Sequence, residues 1–315
     1  MNKNYKIGMV GFGSIGTRHF NNILDVLKER NCTCTIDLIR SGKGNELDEE
    51  ISRHVNQIYY SYASAPDDYD VLFITNPTHL HFSTIKQFVN NTEHMFIEKP
   101  LFDKADVCPD QLNLKKGNVY YVACPLRYTE VIQYLKHSSD IAGTICARAI
   151  CSSYLPEWRP GQDYRDTYSA HKNQGGGVSV DLIHEWDYIC YLFGQPEQVL
   201  SIIGTFSKLE IDSDDLSIYI AKYANMAVEV HLDYFGRKTI REIQLFTDTD
   251  TIVGDLANSE IRFMNSGKVI SFKEKRNDFQ RKEIEHYFDI IEGKAVNDND
   301  ISTAFSVLKL TKGRK

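Results

Sequence analysis

A chain of 315 residues is longer than the usual single domain, and 42% hydrophobic with 25% charged residues is an ordinary globular composition. A formal charge of -7, with 36 basic residues scattered among 43 acidic ones, leaves no basic surface for nucleic acid. No apolar run approaches membrane-span length and no charged-then-apolar leader opens the chain, so a soluble, cytoplasmic protein with no membrane partner is expected. Residues 5–10 read as a buried strand, with Ile7, Met9 and Val10 apolar, and run into the turn Gly11-Phe12-Gly13-Ser14-Ile15-Gly16. Apolar Ile15, Ile23, Leu24 and Leu27 then recur at helical spacing to about Arg30. Strands follow at 34–39, 58–60, 70–75, 94–97 and 118–124. Between them the acidic stretch Glu46 to Glu50 opens one helix and residues 78–90 form another. Cys32-Thr-Cys34 is the one close pair among seven cysteines and has no second pair to close a zinc site, so reduced thiols and no metal are expected.

Alternation of strand and helix through residue 124 is the pattern of a doubly wound parallel sheet covered on both faces, an α/β domain at 1–124. After a helix at 128–137, strands dominate, at 144–153, 199–209, 216–223, 227–234, 239–247 and 251–255. Several alternate apolar and polar residues, as antiparallel strands with one covered face do. A single helix at about 179–193 interrupts them, and helices at 278–292 and 301–310 follow. The second domain is therefore placed at 125–315, with the helix at 301–310 able to pack back on the first.

The glycine turn sits where a dinucleotide-binding turn must, after a strand and before a helix. Gly11 permits the tight turn, Gly13 lets backbone approach a pyrophosphate, and Gly16 lets helix and strand pack closely. The helix N-terminus offers its unpaired N–H groups and positive dipole to the phosphates, with Phe12, Ser14 and Ile15 completing the loop. The end of the second strand reads Arg40-Ser41, with Lys43 beyond, and has no carboxylate until Glu46. An acidic residue there would bind a ribose 2′-hydroxyl and repel a 2′-phosphate, so the absence of one favours NADP over NAD.

Three further segments carry a resemblance. Thr75-Asn76-Pro77-Thr78-His79-Leu80-His81 follows the fourth strand, and Glu98-Lys99-Pro100 follows the fifth, about 85 residues past the glycine turn. Gly175-Gly-Gly-Val-Ser-Val-Asp181-Leu-Ile-His184-Glu-Trp-Asp187 lies in the second domain. In order and spacing the chain resembles the glucose–fructose oxidoreductase / inositol dehydrogenase / rhizopine-catabolism (Gfo/Idh/MocA) family. The resemblance implies a Rossmann domain followed by an α/β domain with a large, mostly antiparallel open sheet. It also implies hydride transfer between NAD(P) and a hydroxyl or carbonyl carbon of a sugar or cyclitol, and pairing of the exposed sheet into a homodimer or homotetramer. By the same resemblance Lys99 contacts substrate and nicotinamide and His184 is the acid/base, while Thr75, Asn76, Pro77, His79 and Glu98 line the cofactor. The family more commonly sets its aspartate four residues before the histidine, whereas Asp181 precedes His184 by three.

The chemistry agrees with these assignments. Removing a hydroxyl proton as hydride leaves the same carbon requires a group that titrates near neutral pH, as histidine does, and an ammonium stabilises developing alkoxide charge. On a helical wheel Asp181, His184 and Tyr188 share one face and Leu182, Trp186, Ile189 and Phe193 the other, so one face packs on the sheet while its opposite meets the ligand. Asp187, elsewhere on the wheel, suits a structural hydrogen bond. Residues 155–172 are poor in aliphatics and rich in aromatic and basic side chains. Trp158 and Tyr164 suit stacking on a sugar ring, and Arg159, Arg165 and Lys172, with Arg127, suit an anionic carbohydrate such as a sugar acid or nucleotide-linked sugar. A glycosidase that retains NAD and a non-catalytic dinucleotide sensor are the alternatives. Turnover without net cofactor reduction marks the glycosidase, and a sensor has no need of Lys99 and His184.

Overall fold

The computed structural model describes residues 3–42 and 46–313. In chain order its first half runs β1 (Asn4–Val10), α1 (Ser14–Glu29), β2 (Thr33–Ile39), α2 (Glu49–Ser52), β3 (Val55–Tyr59), β4 (Tyr69–Ile74), α3 (His81–Phe88), β5 (Thr92–Ile97) and β6 (Tyr120–Val122). All pairings among these strands are parallel, in the order β3-β2-β1-β4-β5-β6. The direction of winding reverses between β1 and β4, the switch point where doubly wound sheets bind ligands. The acidic stretch expected to open a helix supplies only the four residues of α2.

The second half runs α4 (Glu130–His137), β7 (Cys146–Tyr154), α5 (Val178–Asp181), α6 (His184–Phe193), β8 (Gln198–Gly204), β9 (Leu216–Lys222), β10 (Ala227–Asp233), β11 (Phe235–Phe246), β12 (Thr251–Asp255), β13 (Glu260–Phe263), β14 (Val269–Ser271), α7 (Asp278–Ile291) and α8 (Ile301–Leu310). Its eight strands form one sheet in the order β14-β13-β12-β11-β7-β10-β9-β8, antiparallel except for the β10–β7 pair. The chain divides into two compact units. One comprises residues up to Ala123 with Gln280–Phe305, the other Cys124–Phe279 with residues from Ser306 on.

In the first unit an aromatic core covers one face of the parallel sheet. Tyr287 of α7 packs on Phe73 of β4, Phe96 of β5 and Tyr121 of β6, at ring separations of 5.3–5.8 Å. Polar contacts tie α7 to α1: Arg18 donates to Gln280 at 2.9 Å, and Arg30 pairs with Asp289 at 2.8 Å. These contacts are between residues more than 250 positions apart, which is why the C-terminal helix carries no local sign of belonging with the Rossmann strands.

In the second unit the strands bury alternate residues, among them Ala147, Ala149, Val228, Val230, Ile243 and Leu245, beneath α4 and α6. Complete burial of the Val, Ile and Leu side chains contributes about 1.5–3 kcal/mol each. The helix expected at 179–193 is two: α5 ends at Asp181, and Leu182 leaves the helical region (φ -98°, ψ 34°) before α6 begins at His184. A continuous helix would turn Asp181, His184 and Tyr188 to one face. The break instead lets Leu182, Ile183 and Tyr188 all point inward. Among the described residues no helix is long and apolar enough to cross a membrane, and no cluster of His, Cys, Asp or Glu is arranged to hold a metal.

Candidate active site

The C-terminal ends of the parallel strands are joined by backbone bonds that extend the ladder past them. Gly11 N–H donates to Ile39 O (3.0 Å), Thr75 N–H to Val10 O (2.8 Å) and Glu98 N–H to Ile74 O (2.9 Å). The glycine turn, Thr75 and Glu98 therefore lie side by side at the switch point. The three glycines are not equivalent. Gly11 has φ +86°, and a Cβ on it would lie 2.6 Å from the Asn76 backbone. On Gly16 a Cβ would lie 2.9 Å from Thr75 Oγ1, the hydroxyl that donates to Gly11 O at 2.8 Å. A Cβ on Gly13 would meet no atom within 4 Å, so the turn is open on that side. Gly13 caps α1 without a side-chain hydrogen bond, and no acidic residue stands in the first turn. An uncapped helix start with an open glycine before it fits a pyrophosphate, whose charge the amides and dipole would meet.

Around this turn Phe12 packs edge-on to Phe20 at 5.6 Å, Ser14 is exposed and Ile15 half-buried. Arg40, whose N–H donates to Tyr59 O, is half-buried at the end of β2, and Ser41 is exposed. Lys43 lies outside the described residues. Asn76 donates to Thr84 Oγ1 at 2.9 Å, while Pro77 and His79 are exposed. His81, by contrast, is buried between the carbonyls of Asn76 (2.9 Å) and Leu101 (3.1 Å), so it joins the loops after β4 and β5. Burial pulls its pKa down against those carbonyls and the Glu98 charge, which raise it.

Glu98 is 8% exposed and both its oxygens are engaged. Oε1 faces His19 Nε2 at 2.5 Å, and Oε2 accepts from the Lys99 N–H at 3.0 Å. Burial alone would raise its carboxyl, but the His19 hydrogen bond and the neighbouring Lys99 charge and amide outweigh it and hold it below the usual range. Reading the sequence missed His19. Its signal was present: a polar residue three past Gly16, in the buried stripe with Ile23 and Val26.

The second unit carries the other candidates. Its glycine run threads between backbone and carboxylate: a Cβ on Gly176 would strike the Tyr168 carbonyl, and Gly177 has φ +129° with Asp214 against it. Asp214 then accepts from the N–H of Ser179 at 2.8 Å, fixing the start of α5. From Gly176 to Ile189 every residue is buried except His184. Asp181 is buried and accepts from Tyr234 Oη at 2.6 Å, with Tyr168 facing the same carboxylate. Burial first, and then the Asp181 charge, push the Tyr234 phenol well above its ordinary value, so it remains a donor.

Two of the expected substrate cations have other partners. Arg127 is 2% exposed, and its Nε and Nη2 form a bidentate pair with Asp187 at 2.8 and 2.7 Å. A guanidinium without solvent access whose fork already grips a carboxylate ties the segment before α4 to α6. Arg165 is exposed but bound by Asp163 and Glu210, both at 2.6 Å, which offset its charge. Arg159 lies over the Tyr168 ring at 5.3 Å, and Lys172 is exposed. The Trp158 indole donates to Ser153 Oγ at 2.9 Å and stands edge-on to Tyr234, while Tyr164 is half-buried. Leu155, Trp158, Arg159, Gln162 and Tyr164 line a small pocket.

Comparison with known proteins agrees with this geometry. Residues 5–123 match the model of the GFO_IDH_MocA family, described as an oxidoreductase family with an NAD-binding Rossmann fold. A 2,7-anhydro-N-acetylneuraminate hydratase of Escherichia coli is 26% identical over 206 residues, covering 62% of this chain and 52% of that protein. An uncharacterised oxidoreductase of Bacillus subtilis is 28% identical over 200 residues, covering 62% and 55%. The chain thus spans about half the length of these curated relatives. A levoglucosan dehydrogenase solved with NADH superposes with a TM-score of 0.83 at 17% identity, covering 98% of this chain and 95% of that one, so the two share a fold.

Proposed function

We propose that this chain, whose residues 5–123 match the GFO_IDH_MocA family model, is an NAD(P)-dependent dehydrogenase or reductase acting on a CH–OH carbon of a sugar, sugar acid or nucleotide-linked sugar. The observation that carries the reading is His184, the one partly exposed residue in an otherwise buried run of fourteen from Gly176 to Ile189. Burying its neighbours while leaving a titratable imidazole accessible suits a proton-transfer group. In this reading His184 takes the hydroxyl proton in the oxidative direction and returns it in the reductive one. Lys99 contacts substrate and nicotinamide and stabilises alkoxide charge, and Asp181 supplies a carboxylate held by Tyr234. A bound dinucleotide would accept or donate the hydride through its nicotinamide, with its pyrophosphate at the Gly11–Gly16 turn and Thr75, Asn76 and Glu98 beside it.

Arg40 and Ser41 at the end of β2 support NADP over NAD, since both can donate to a 2′-phosphate. The names of the relatives, one acting on an anhydro-neuraminate and another on levoglucosan, support a carbohydrate substrate, and Arg159 with Lys172 supports an anionic one. Exposed Leu200 and Ile202 on β8 and Ile220 on β9 support a homodimer or homotetramer built on the outer face of the large sheet. A cytoplasmic location suits a dinucleotide-dependent enzyme.

The test is a substrate screen at the reduced-nicotinamide absorbance with His184→Ala as control. The variant is expected to bind dinucleotide as the parent does and to lose turnover about 100-fold or more. Near-normal turnover by the variant overturns the assignment of His184. Turnover by the parent without net reduction moves the chain to the glycosidase reading.

A further inference from the structure

We propose that His19 and Glu98 form a buried positioning pair that fixes the Glu98-Lys99 strand end to the dinucleotide-turn helix, so that the setting of Lys99 depends on His19. The proposal rests on the reading of the turn and Lys99 given above only for its functional consequence. The pairing itself stands on geometry within the first unit.

A histidine at 1% exposure in the buried stripe of α1 is a polar group among apolar ones and must be compensated. Its ring is enclosed by Phe96 at 4.9 Å, edge-on, and by Phe73 at 6.2 Å. Nε2 meets Glu98 at 2.5 Å, and Nδ1 has no hydrogen-bond partner among the described residues. An ionised carboxylate only accepts, so the proton of this contact sits on His19 Nε2. Glu98 is then the acceptor of two donors, one from α1 and one from the Lys99 main chain. The carboxylate is a bridge between the helix that starts at the glycine turn and the residue that carries the ammonium.

The groups facing Glu98 are few: His19 from α1, the Lys99 ammonium beside it, and buried His81 from α3. Tyr287 of α7 packs on Phe96, and burial holds its phenol well above the ordinary value and neutral. Without the His19 donor, burial dominates and the Glu98 carboxyl takes up a proton at a higher pH. It then repels no anion, attracts the ammonium less, and binds the Lys99 amide more weakly.

The experiment follows Lys99 directly, in the full chain. Lysines are reductively methylated with carbon-13, and the Lys99 resonance is assigned with Lys99→Arg and followed from about pH 5 to about pH 8, the window a raised carboxyl would enter. In the parent and in His19→Gln, which keeps an N–H donor at nearly the same reach, no carboxyl titration is expected at Lys99. In His19→Leu a step is expected in that window, and affinity for NADPH or NADH, by fluorescence titration, is expected to fall about tenfold with an acid limb that His19→Gln lacks. A Lys99 resonance in folded His19→Leu that matches the parent throughout overturns the proposal. Should His19→Leu fail to fold, isosteric Glu98→Gln decides, since an unmoved Lys99 resonance there overturns it equally. A parent protein that binds neither dinucleotide defeats the proposed function and leaves the resonance to judge the pair.

Discussion

Replacing Asp187 with alanine should be among the most damaging single changes in the second unit. Its carboxylate receives two charge-assisted hydrogen bonds from Arg127, and the two residues are 8% and 2% exposed. Bonds of this kind are worth about 1.5–3 kcal/mol each, and truncating one partner of a buried charge pair costs a total near 3–5 kcal/mol. Part of that charge remains eased by the Tyr191 ring, whose centroid is 5.0 Å from Arg127 Cζ, which argues for the lower half of the range. For a unit of this size the loss corresponds to a fall in melting temperature of roughly 6–20 °C. Thermal and urea denaturation of the parent, Asp187→Ala, Arg127→Met and the double variant would form a double-mutant cycle. The double variant should recover much of the stability, because no buried charge is left unpaired. A cost below about 1 kcal/mol for Asp187→Ala would refute the reasoning. So would an Arg127→Met protein of parental stability with impaired substrate affinity, which would return Arg127 to the ligand.

The glycines make a paired prediction. Gly13→Ala adds a methyl that meets no protein atom, so the melting temperature should hold while dinucleotide affinity falls about tenfold or more. Gly176→Ala drives a methyl into the Tyr168 carbonyl and should cost about 1–3 kcal/mol by denaturation. Stability should also depend on acid through Asp233. Burial would raise its carboxyl, but His231, Ser152 and the Gly236 and Phe235 amides lower it below the ordinary value. Its contribution is therefore present above the unfolded carboxylate range, about pH 4, and is lost as pH falls through the lower folded value. Urea titrations across acid pH should show a steeper loss for the parent than for Asp233→Asn, and parallel curves would remove Asp233 as a cause.

Local order was largely legible. The strand, the glycine turn and α1 declared themselves because a dinucleotide turn is a contiguous arrangement of backbone needs. The parallel strands showed as apolar runs, and α8 was bounded correctly at Ile301 and Leu310 by its periodicity. The short strands β13 and β14 carry no sequence signal, since three or four residues are too few to show alternation. The helix through Asp181 and His184 was read as continuous because its sequence is compatible with one. The break at Leu182 accompanies the burial of Leu182, Ile183 and Tyr188 together, which depends on what packs around them.

The glycine turn after β1, the alternation that makes a doubly wound sheet, and the presence of Lys99 and His184 just past a strand and at a helix start were all legible in the chain alone. Those properties depend on residues close together in the chain. Tertiary structure alone decided that Arg127 serves Asp187, that Glu98 is held by His19 across 79 positions, and that α7 completes the first unit from the far end of the sequence. Each is a pairing of a polar or aromatic group with a partner that only folding brings within reach, and a charge is neither bound nor free until that partner arrives.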